Sequence, residues 1–398
     1  MKVLVVNCGS SSLKFRLIET DSREVIAKGL CERIGIDGGH FEYSPAGGSK
    51  LEKDIDLPNH DVAAKLVIDT LTDAEVGVVK SLDEIDAVGH RIVHGGDKFK
   101  HAAYLDDEAI KEIEACAALA PLHNPVNLIG IRACQKAMPG TANVAAFDTS
   151  FHQSLPEEAY LYGIPYEYYK NDKVRRYGFH GMSHEYVAAE TAKELGKDIK
   201  DTKIITCHLG NGASITAVDG GKSVDTSMGF TPLDGIIMGT RCGSLDPEII
   251  NFLAGKYNMS ISEVLDTLNK KSGLYGLSDY LSTDMRDLTD AYKAGDENAI
   301  RALKAYAYRI VKYVGAYATV LDGVDAITFT AGIGEHSFFI RKLICDGLGF
   351  LGVELDDTAN NNCDILISTP ASKIKVYAIP TDEEMSIALQ TVEVLKNR

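Results

Sequence analysis

The sequence predicts an α/β protein made of two related domains, each with a mixed β-sheet flanked by helices. With 398 residues, the chain is longer than a single hydrophobic core usually serves, which favours two domains. Apolar runs of strand length alternate with stretches of helical periodicity, as in α/β proteins. The order of strand, Gly/Ser/Asn turn and return strand occurs at the N-terminus and again from residue 203, as expected of a duplicated domain.

The first half of the chain begins with a predicted hairpin. In VLVVNCGSSSLKF, a strand at 2–6 leads through a Gly/Ser turn into a return strand at 14–19. The elements predicted after it are strands at 23–29 and 40–44, a helix in AAKLVIDTLTDAE, a buried strand in IDAVGHRIVHGG, a helix at 106–120 and a strand in TANVAAFDTSFH.

The second half repeats the opening pattern in KIITCHLGNGASITAVDGGKSVDTS. Upstream of it, RRYGFHGMSHEYV places His180 in a loop before a helix that Ser183 is expected to cap. A third Gly-rich loop, in AITFTAGIGEHS, joins a β-branched strand to a helix expected to begin near Glu335. Glu383 and Glu384 are expected to open the final helix.

The two Gly/Ser/Asn turns have a plain structural explanation, because any β-hairpin needs such residues. Both turns nevertheless contain more Ser and Asn than a two-residue turn requires, and they occupy corresponding places in the two repeats. We therefore interpret them as ligand-binding loops, and we expect both to face one cleft.

Composition argues against several classes of partner. The net charge of -16 disfavours nucleic acid and anionic membranes, which reward a basic face. The eight cysteines contain no CxxC pair, so we expect reduced thiols rather than a zinc ribbon or a disulfide framework. No apolar run approaches the roughly 20 residues of a membrane span, and no signal-like segment opens the chain. We expect a cytoplasmic protein.

Several charged residues occur in contexts that suit phosphoryl transfer. Arg91 in GHRIVHGG and Arg241 in the Gly- and Pro-rich stretch 225–247 are suited to bidentate phosphoryl binding, although most exposed arginines are simply solvated. Asp148 ends a buried strand, where α/β active sites usually lie. The chain has no GxxxxGK[ST] motif, which excludes a Walker-type P-loop. The GxGxxG motif with a downstream acidic residue is absent as well.

His180 lies between an aromatic residue and a glycine, and it is either a donor to a phosphoryl oxygen or a satisfied core histidine. With His184 it forms HxxxH, but the Glu of the zinc-protease pattern is missing, which disfavours a zinc site. Glu383 and Glu384 are either favourable acids in a first helical turn or oxygen ligands for magnesium.

Eight motifs in order make the chain resemble the acetokinase family, within the sugar kinase, Hsp70 and actin superfamily. They span residues 5–384 and are VNCGSSSLKF, GHRIVHGG, FDTSFH, YGFHGMSH, HLGNGAS, DTSMGFTPLDGIIMGTRCGSLDP, FTAGIGEHS and PTDEE. The resemblance implies two duplicated actin-like (ribonuclease H-like) ATPase domains, at 1–150 plus 385–398 and at 151–384, with the active site in the interdomain cleft. It also implies a homodimer.

The resemblance implies reversible transfer of the ATP γ-phosphoryl group to acetate, giving acetyl phosphate and ADP, with Mg²⁺ or Mn²⁺ as cofactor. Acetate already carries a nucleophilic carboxylate, so direct in-line transfer needs positioning and charge neutralisation rather than a strong base. Two alternatives stay open at this point. One is a propionate or butyrate kinase of the same family, and the other is an actin- or Hsp70-like ATPase that regulates a partner protein.

The resemblance also implies roles for individual residues. Asp148, His180 and Arg241 are the implied catalytic residues. The implied acid site consists of Arg91 and an apolar pocket formed by Val93, Leu122, Phe179 and Pro232. The alternative interpretation of these four apolar residues is ordinary hydrophobic core. The implied nucleotide contacts are Lys14, Ser10, Ser12, His208, Leu209, Gly210, Asn211, Gly212, Asp284, Met285, Arg286, Gly332, Ile333, Gly334, Glu335 and His336, the last of which departs from the Asn that the family often carries. Asn7 and Glu383 are the implied metal ligands, with Glu383 favoured over Glu384 because it is nearer the helix cap.

Overall fold

The computed structural model describes residues 1–121 and 123–398, which form two compact units. Unit 1 comprises Met1–Phe151 and Asp382–Arg398, and unit 2 comprises His152–Thr381. The sequence placed residues 382–384 in the second predicted domain. Here they belong to unit 1, because they cap and begin the C-terminal helix, which packs on the sheet of that unit.

Unit 1 is built on an eight-stranded mixed sheet. Its strands are β1 (Lys2–Gly9), β2 (Ser12–Glu19), β3 (Glu24–Glu32), β4 (His40–Pro45), β5 (Leu51–Asp54), β6 (Ala87–Ile92), β7 (Ala103–Tyr104) and β8 (Ala142–Phe147). Their order across the sheet is β5-β4-β3-β2-β1-β6-β8-β7. Strands β1 to β5 pair antiparallel, whereas β1 with β6 and β6 with β8 pair parallel.

The opening hairpin has longer strands than predicted. Strand β1 continues through Asn7 to Gly9, which pairs with Ser12, so that only residues 10 and 11 form the turn. In this register Asn7 lies opposite Lys14. The polar residues of the segment therefore lie at the end of a paired ladder, whose backbone hydrogen bonds fix their positions.

Helices cover both faces of this sheet. They are α1 (His60–Leu71), α2 (Asp107–Ala115), α3 (Asn124–Ala137) and, numbered in chain order, α15 (Glu383–Lys396). Helix α3 packs on β1 so closely that Gly130 has no room for a Cβ beside Cys8. Helix α15 packs on β6, where a Cβ on Gly89 would lie 2.6 Å from Thr391 Oγ1. The neighbour Val88 belongs instead to the cluster that includes residues of α3, because successive strand residues point to opposite faces.

Unit 2 repeats the topology of unit 1 in a smaller sheet. Its strands are β9 (Lys203–Leu209), β10 (Ala213–Asp219), β11 (Lys222–Thr226), β12 (Ala326–Thr330) and β13 (Lys375–Ala378). They are ordered β11-β10-β9-β12-β13, with the first three antiparallel and the last three parallel. The strands β3-β2-β1-β6-β8 of unit 1 have the same order and directions, which confirms the predicted duplication.

The helices of unit 2 pack around that sheet. Helix α11 packs on β10, and α6 packs on β9 and β12, where Val187 contacts the cluster of Ala326 and Tyr377. The helices are α4 (Glu157–Tyr160), α5 (Tyr166–Asp172), α6 (Gly181–Glu194), α7 (Glu248–Tyr257), α8 (Ile261–Lys270), α9 (Gly273–Leu277), α10 (Met285–Lys293), α11 (Glu297–Val320), α12 (Ala331–His336), α13 (Phe338–Cys345) and α14 (Asp357–Asn362).

Two predicted helix starts in unit 2 were wrong. Helix α6 begins after His180, and Ser183 lies inside the helix, where its hydroxyl contacts His208 Nδ1 at 2.8 Å instead of capping the backbone. Helix α12 begins at Ala331 rather than near Glu335. In both cases the chain turns into the helix directly at the preceding residue, without a Ser or Asp side-chain cap that a sequence pattern would reveal.

The expectations from cysteine content and hydropathy agree with the structure. All eight cysteines are free, and six are buried. Among the helices that the structure describes, none is long and apolar enough to cross a membrane.

Buried neutral histidines predict a loss of stability in acid. Burial lowers the pKa of His90, His94 and His152 to about 4, whereas an unfolded histidine titrates near its ordinary value of 6.5. Between these values the unfolded chain binds more protons, so the free energy of unfolding is highest above about pH 6.5 and falls as the pH drops towards about 4. His90 alone is expected to contribute about 2 kcal/mol of the loss between about pH 7.5 and about pH 5.

Urea unfolding at these two pH values measures the effect. The variant H90Q, whose amide can still donate to Asn143 Oδ1, which His90 Nε2 contacts at 2.7 Å, is expected to lose less stability on acidification than the wild type. An identical loss in both proteins would contradict the prediction.

Candidate active site

In unit 1, Arg91 and the buried Asp148 form a partly buried ion pair at the ends of two adjacent parallel strands. Arg91 lies on β6, and Asp148 follows β8, where its amide donates to the carbonyl of Ile92 over 3.0 Å. Arg91 Nε and Nη2 donate to the two carboxylate oxygens of Asp148 over 3.0 and 2.8 Å. The charge of Asp148 raises the pKa of the Arg91 guanidinium. Both oxygens of Asp148 are thus occupied by one guanidinium, so this carboxylate orients Arg91 rather than acting as a free base.

The acidic start of α15 lies against the same strands. Lys14 Nζ pairs with Glu384 Oε1, and Arg16 Nη2 lies 3.7 Å from Glu384 Oε2. Glu383 Oε2 lies 3.9 Å from Arg91 Nη1. The helix therefore places one glutamate among cations of β2 and the other beside the Arg91 guanidinium.

The two glutamates differ in their electrostatics. Burial raises the pKa of Glu383, and the negative charge of Asp148 adds to this against the opposing charge of Arg91. Burial also disfavours ionisation of Glu384, but the hydrogen bond from Lys14 and the positive charges around it outweigh burial and lower its pKa. Glu384 is consequently engaged in ion pairs, whereas Glu383 is the more available ligand for a further cation.

Asn127 on α3 joins the two predicted site segments of unit 1, and the sequence reasoning missed it. Its Nδ2 donates to the carbonyl of Cys8 over 3.0 Å, and its Oδ1 accepts from the amide of Val93 over 3.2 Å. These backbone groups adjoin Asn7 at the end of β1 and Arg91 at the end of β6. A buried Asn on the apolar face of a helix must find such partners, so its position in NPVNLIGI was the available signal.

In unit 2, Arg241 and His180 converge on the glycine loop after β9. A Cβ on Gly212 would lie 3.4 Å from Arg241 Nη1 and 3.6 Å from His180 Nε2. Arg241 Nη1 donates to the carbonyl of Pro232 over 3.3 Å, and burial lowers the pKa of the guanidinium. No carboxylate of residues 1–121 or 123–398 lies within ion-pair distance of Arg241. Its charge is therefore available to an anion at this loop.

His180 is held in a strained backbone conformation by its side-chain contacts. It has a φ of 58°, which is uncommon for a residue with a side chain. Its Nδ1 lies 2.8 Å from Ser214 Oγ, and its ring stacks on His208 with 4.1 Å between centroids. His208 Nδ1 in turn lies 2.8 Å from Ser183 Oγ, which lies 2.8 Å from Thr381 Oγ1. Strain of this kind persists only where the surroundings enforce it, and it is frequent at functional sites.

A cavity of about 750 Å³ opens beside the same loop, a size typical of small-molecule sites. It is formed by the loop after β9, the start of α10 and the segment from α12 to α13. Of the predicted nucleotide contacts, it is lined by Gly210, Asn211, Asp284, Met285, Arg286, Gly332, Ile333 and His336.

The other predicted nucleotide contacts lie elsewhere. Five of them lie next to the cavity lining but do not, within the described residues, line the cavity themselves. His208 and Leu209 end β9, Gly212 lies in the loop after it, and Gly334 and Glu335 lie in α12. Lys14, Ser10 and Ser12 belong to unit 1. Their contact with a nucleotide stays a prediction.

Local contacts define the rim of the cavity. Asp284 caps α10 by accepting from the amide of Arg286 over 2.8 Å, and the Arg286 side chain donates back to it. This hydrogen bonding lowers the pKa of Asp284 to about 2. His336 is 78% exposed. Glu335 Oε1 instead accepts from the amide of Thr381 over 3.1 Å, so it secures the segment after β13.

Arg341 is a second residue that the sequence reasoning missed. It is fully buried, and its Nη1 donates to the carbonyls of Gly334 and Glu335 over 2.8 and 2.7 Å. Its Nε donates to Asn360 Oδ1 over 2.7 Å. A buried cation that binds these carbonyls fixes the C-terminal turn of helix α12 behind the cavity. In FFIRKLIC it resembled an ordinary surface arginine of an amphipathic helix, so the sequence offered no signal.

The predicted acid pocket is divided between the two units. Val93 follows β6 in unit 1. In unit 2, Phe179 directly precedes His180, and the carbonyl of Pro232 accepts from Arg241 Nη1. Leu122 lies outside the described residues. The carbonyl of Phe179 accepts from His152 Nε2 over 3.0 Å, which fixes the peptide before His180.

Comparison with known proteins follows the same motifs. Residues 2–389 match the model of the Acetokinase family. The chain belongs to the acetokinase family. The acetate kinase of Agathobacter rectalis is 54% identical over 398 residues, covering 99% of this chain and 100% of that relative. The acetate kinase of Thermotoga maritima is 54% identical over 400 residues, covering 100% of this chain and 99% of that relative.

Two solved structures of acetokinase family members share the whole fold. The crystal structure of Porphyromonas gingivalis acetate kinase has a TM-score of 0.95, 44% identity and 99% coverage of both chains. A propionate kinase from Francisella tularensis has a TM-score of 0.92, 39% identity and 99% coverage of both chains. The predicted family, the predicted α/β fold and the prediction of a kinase are thereby confirmed.

The arginines of the two units are expected to respond differently to removal. R91A and R241A should each lower kcat of the kinase reaction roughly 100- to 1,000-fold, because each removes a preorganised positive charge from the phosphoryl site. R91A should also lower the melting temperature, because it leaves Asp148 buried without its cation. R241A should not, because Arg241 has a carbonyl rather than a carboxylate as its partner.

Steady-state kinetics and thermal unfolding of both variants measure these effects. The double variant R91A/D148N is the control, and it should regain stability but not activity. An R241A enzyme with wild-type kcat would contradict the role of Arg241.

Proposed function

We propose that the protein is an acetate kinase, which reversibly transfers the γ-phosphoryl group of ATP to acetate, giving acetyl phosphate and ADP. The observation that carries the proposal is the convergence of Arg241 and His180 on Gly212, directly beside the cavity that Gly210 and Asn211 line. A nucleoside in the cavity extends its phosphates along backbone amides of this loop. The terminal phosphoryl group then meets a guanidinium and an imidazole.

The groups of unit 1 suit the acceptor acid. Arg91 is held by Asp148 with its Nη1 directed to the start of α15, where it can bind a carboxylate. No general base is needed, because acetate is ionised at neutral pH and attacks through its own oxygen. Positioning and charge neutralisation therefore supply the rate.

The residues at the start of α15 fit a magnesium ion. Magnesium takes one or two carboxylates and completes its shell with water and substrate phosphate oxygens. Glu383 and the amide oxygen of Asn7 would hold it. When bound, the ion neutralises negative charge on the phosphates.

Acetate is favoured over propionate as the substrate. The relatives at 54% identity are acetate kinases, whereas the propionate kinase is 39% identical. One additional methylene changes binding in an apolar pocket by only about 1–3 kcal/mol, so a slower reaction with propionate is expected. The homodimer and the cytoplasmic location implied by the family stay predictions.

Formation of acyl phosphate tests the proposal. Purified protein with ATP and Mg²⁺ should convert acetate to acetyl phosphate, trapped as the hydroxamate, faster than propionate and far faster than butyrate. ATP hydrolysis without added acid should be slow. A preference for butyrate would overturn the choice of substrate, and ATP hydrolysis that is independent of any acid would favour a partner-regulating ATPase.

The two glutamates can be separated by magnesium titration. E383Q should raise the Mg²⁺ concentration for half-maximal activity roughly tenfold or more, because it removes an anionic ligand. E384Q should instead lower the melting temperature, because Lys14 loses its carboxylate partner and Arg16 keeps only Asp382, 3.0 Å from its Nη1. A larger Mg²⁺ requirement in E384Q than in E383Q would transfer the ligand role to Glu384.

A further inference from the structure

A chain of short polar contacts runs from the core of unit 2 to His180. Thr206 Oγ1 lies 2.7 Å from His184 Nδ1, and His184 Nε2 lies 2.7 Å from Ser214 Oγ. Ser214 Oγ also lies 2.8 Å from His180 Nδ1. Thr206, His184 and Ser214 are completely buried. These four residues, which we call the Thr206–His180 chain, connect strand β9 through α6 and β10 to the His180 ring.

Satisfying the buried hydroxyl of Ser214 leaves this chain two arrangements. Ser214 has one hydroxyl proton and contacts two ring nitrogens, so its proton finds a partner here only when one nitrogen accepts from it and the other donates to it. His184 is neutral, because burial lowers its pKa well below the ordinary value, and it therefore carries one N–H. The whole chain consequently points either towards His180 or away from it.

The distances favour the direction towards His180. If the chain pointed away, His184 Nδ1–H would donate to Thr206, and the Thr206 hydroxyl would have to donate to the carbonyl of Thr216, 3.5 Å away. That separation is at the outer limit of a hydrogen bond. If the chain points towards His180, Thr206 donates to His184, and all three contacts used are 2.7–2.8 Å long.

We propose that Thr206, His184 and Ser214 are positioning residues that fix neutral His180 as the tautomer with its proton on Nε2. The Ser214 hydroxyl donates to His180 Nδ1, and the Nε2–H faces the Gly212 loop beside Arg241. His180 then donates a hydrogen bond to a phosphoryl oxygen without first becoming charged, and it keeps its proton throughout the transfer. The inference rests on the proposed kinase reaction only for the identity of the group that Nε2–H meets.

The surroundings of His180 keep this geometry rigid. His152 Nε2 contacts the carbonyl of Phe179, and because a carbonyl only accepts, His152 must donate there. Its Nδ1 therefore accepts from the hydroxyl of Ser223, 2.8 Å away. The peptide before His180 is thus fixed from one side, and the His208 ring stacks on its other flank.

Nitrogen NMR of protein with ¹⁵N-labelled histidine tests the tautomer directly. Long-range proton–nitrogen correlation in the ligand-free enzyme should show His180 with a bare Nδ1 and a protonated Nε2, the signals being identified by their absence in H180N. A protonated Nδ1 with a bare Nε2 in the wild type would overturn the proposal. This readout requires no activity, so it stands even if the protein makes no acetyl phosphate.

The variant T206V removes the hydroxyl that sets the direction while keeping the shape of the side chain. His180 should then show a mixture of tautomers, and kcat should fall roughly two- to tenfold, according to the fraction left in the Nε2–H form. KM for acetate should not change. T206S, which restores the hydroxyl, should recover both the single tautomer and the wild-type kcat.

T216V is the matched control. Thr216 is paired with Thr206 across β9 and β10, is equally buried, and directs its hydroxyl to Thr226 at 2.8 Å. It should keep a single His180 tautomer and a kcat close to wild type. Equal losses of kcat in T206V and T216V would mean that Thr206 acts only through packing, and would overturn its positioning role. If T206V fails to fold, the wild-type tautomer still decides the proposal.

Discussion

Parallel pairing at the centre of each sheet is the constraint on which the candidate site residues of each unit depend. Strands that run parallel end at the same edge of a sheet, so residues distant in sequence meet there. In unit 1 the pairing of β6 with β8 brings Arg91 and Asp148 into bidentate contact. In unit 2 the pairing of β9 with β12 sets Thr330 opposite His208, and so brings the glycine loop at 210–212 close to the start of α12.

The two units handle positive charge differently. Arg91 and Lys14 of unit 1 each face a carboxylate at close range, whereas Arg241 of unit 2 has its strongest polar contact with the carbonyl of Pro232. A paired guanidinium is held in one orientation but has much of its charge neutralised. A guanidinium that is paired only with a carbonyl, as in Arg241, keeps most of its positive charge available to a ligand. Burial without an ionic partner also lowers its pKa. The candidate cations of the two units thus differ in how much of their charge is left for a ligand.

Buried polar side chains hold the ends of strands and helices around the candidate site residues. Asn127 fixes the ends of β1 and β6, and Arg341 fixes the C-terminal turn of α12. In unit 2, Arg176 Nη1 donates to the carbonyl of Thr226 over 2.7 Å, at the start of the long segment that carries Arg241. Each of these residues binds main-chain groups that regular secondary structure leaves unpaired. An unpaired buried group costs about 1–3 kcal/mol, so these contacts keep loops without regular structure in single conformations.

The sequence by itself determined the family, the duplicated α/β fold and the chemical type of most candidate residues. Strand periodicity, glycine loops and short motifs are local features that can be read directly from the sequence. Eight motifs in one order leave little choice of family. Only the tertiary structure decided where α6 begins and how short the turn after Asn7 is. It also decided the supporting roles of Asn127 and Arg341. Each depends on partners distant in sequence: an amide on another strand, a carbonyl behind a loop or a hydroxyl on a neighbouring helix. The direction of the hydrogen bonds that reach His180 is of the same kind, because only the assembled core brings Thr206, His184 and Ser214 into contact.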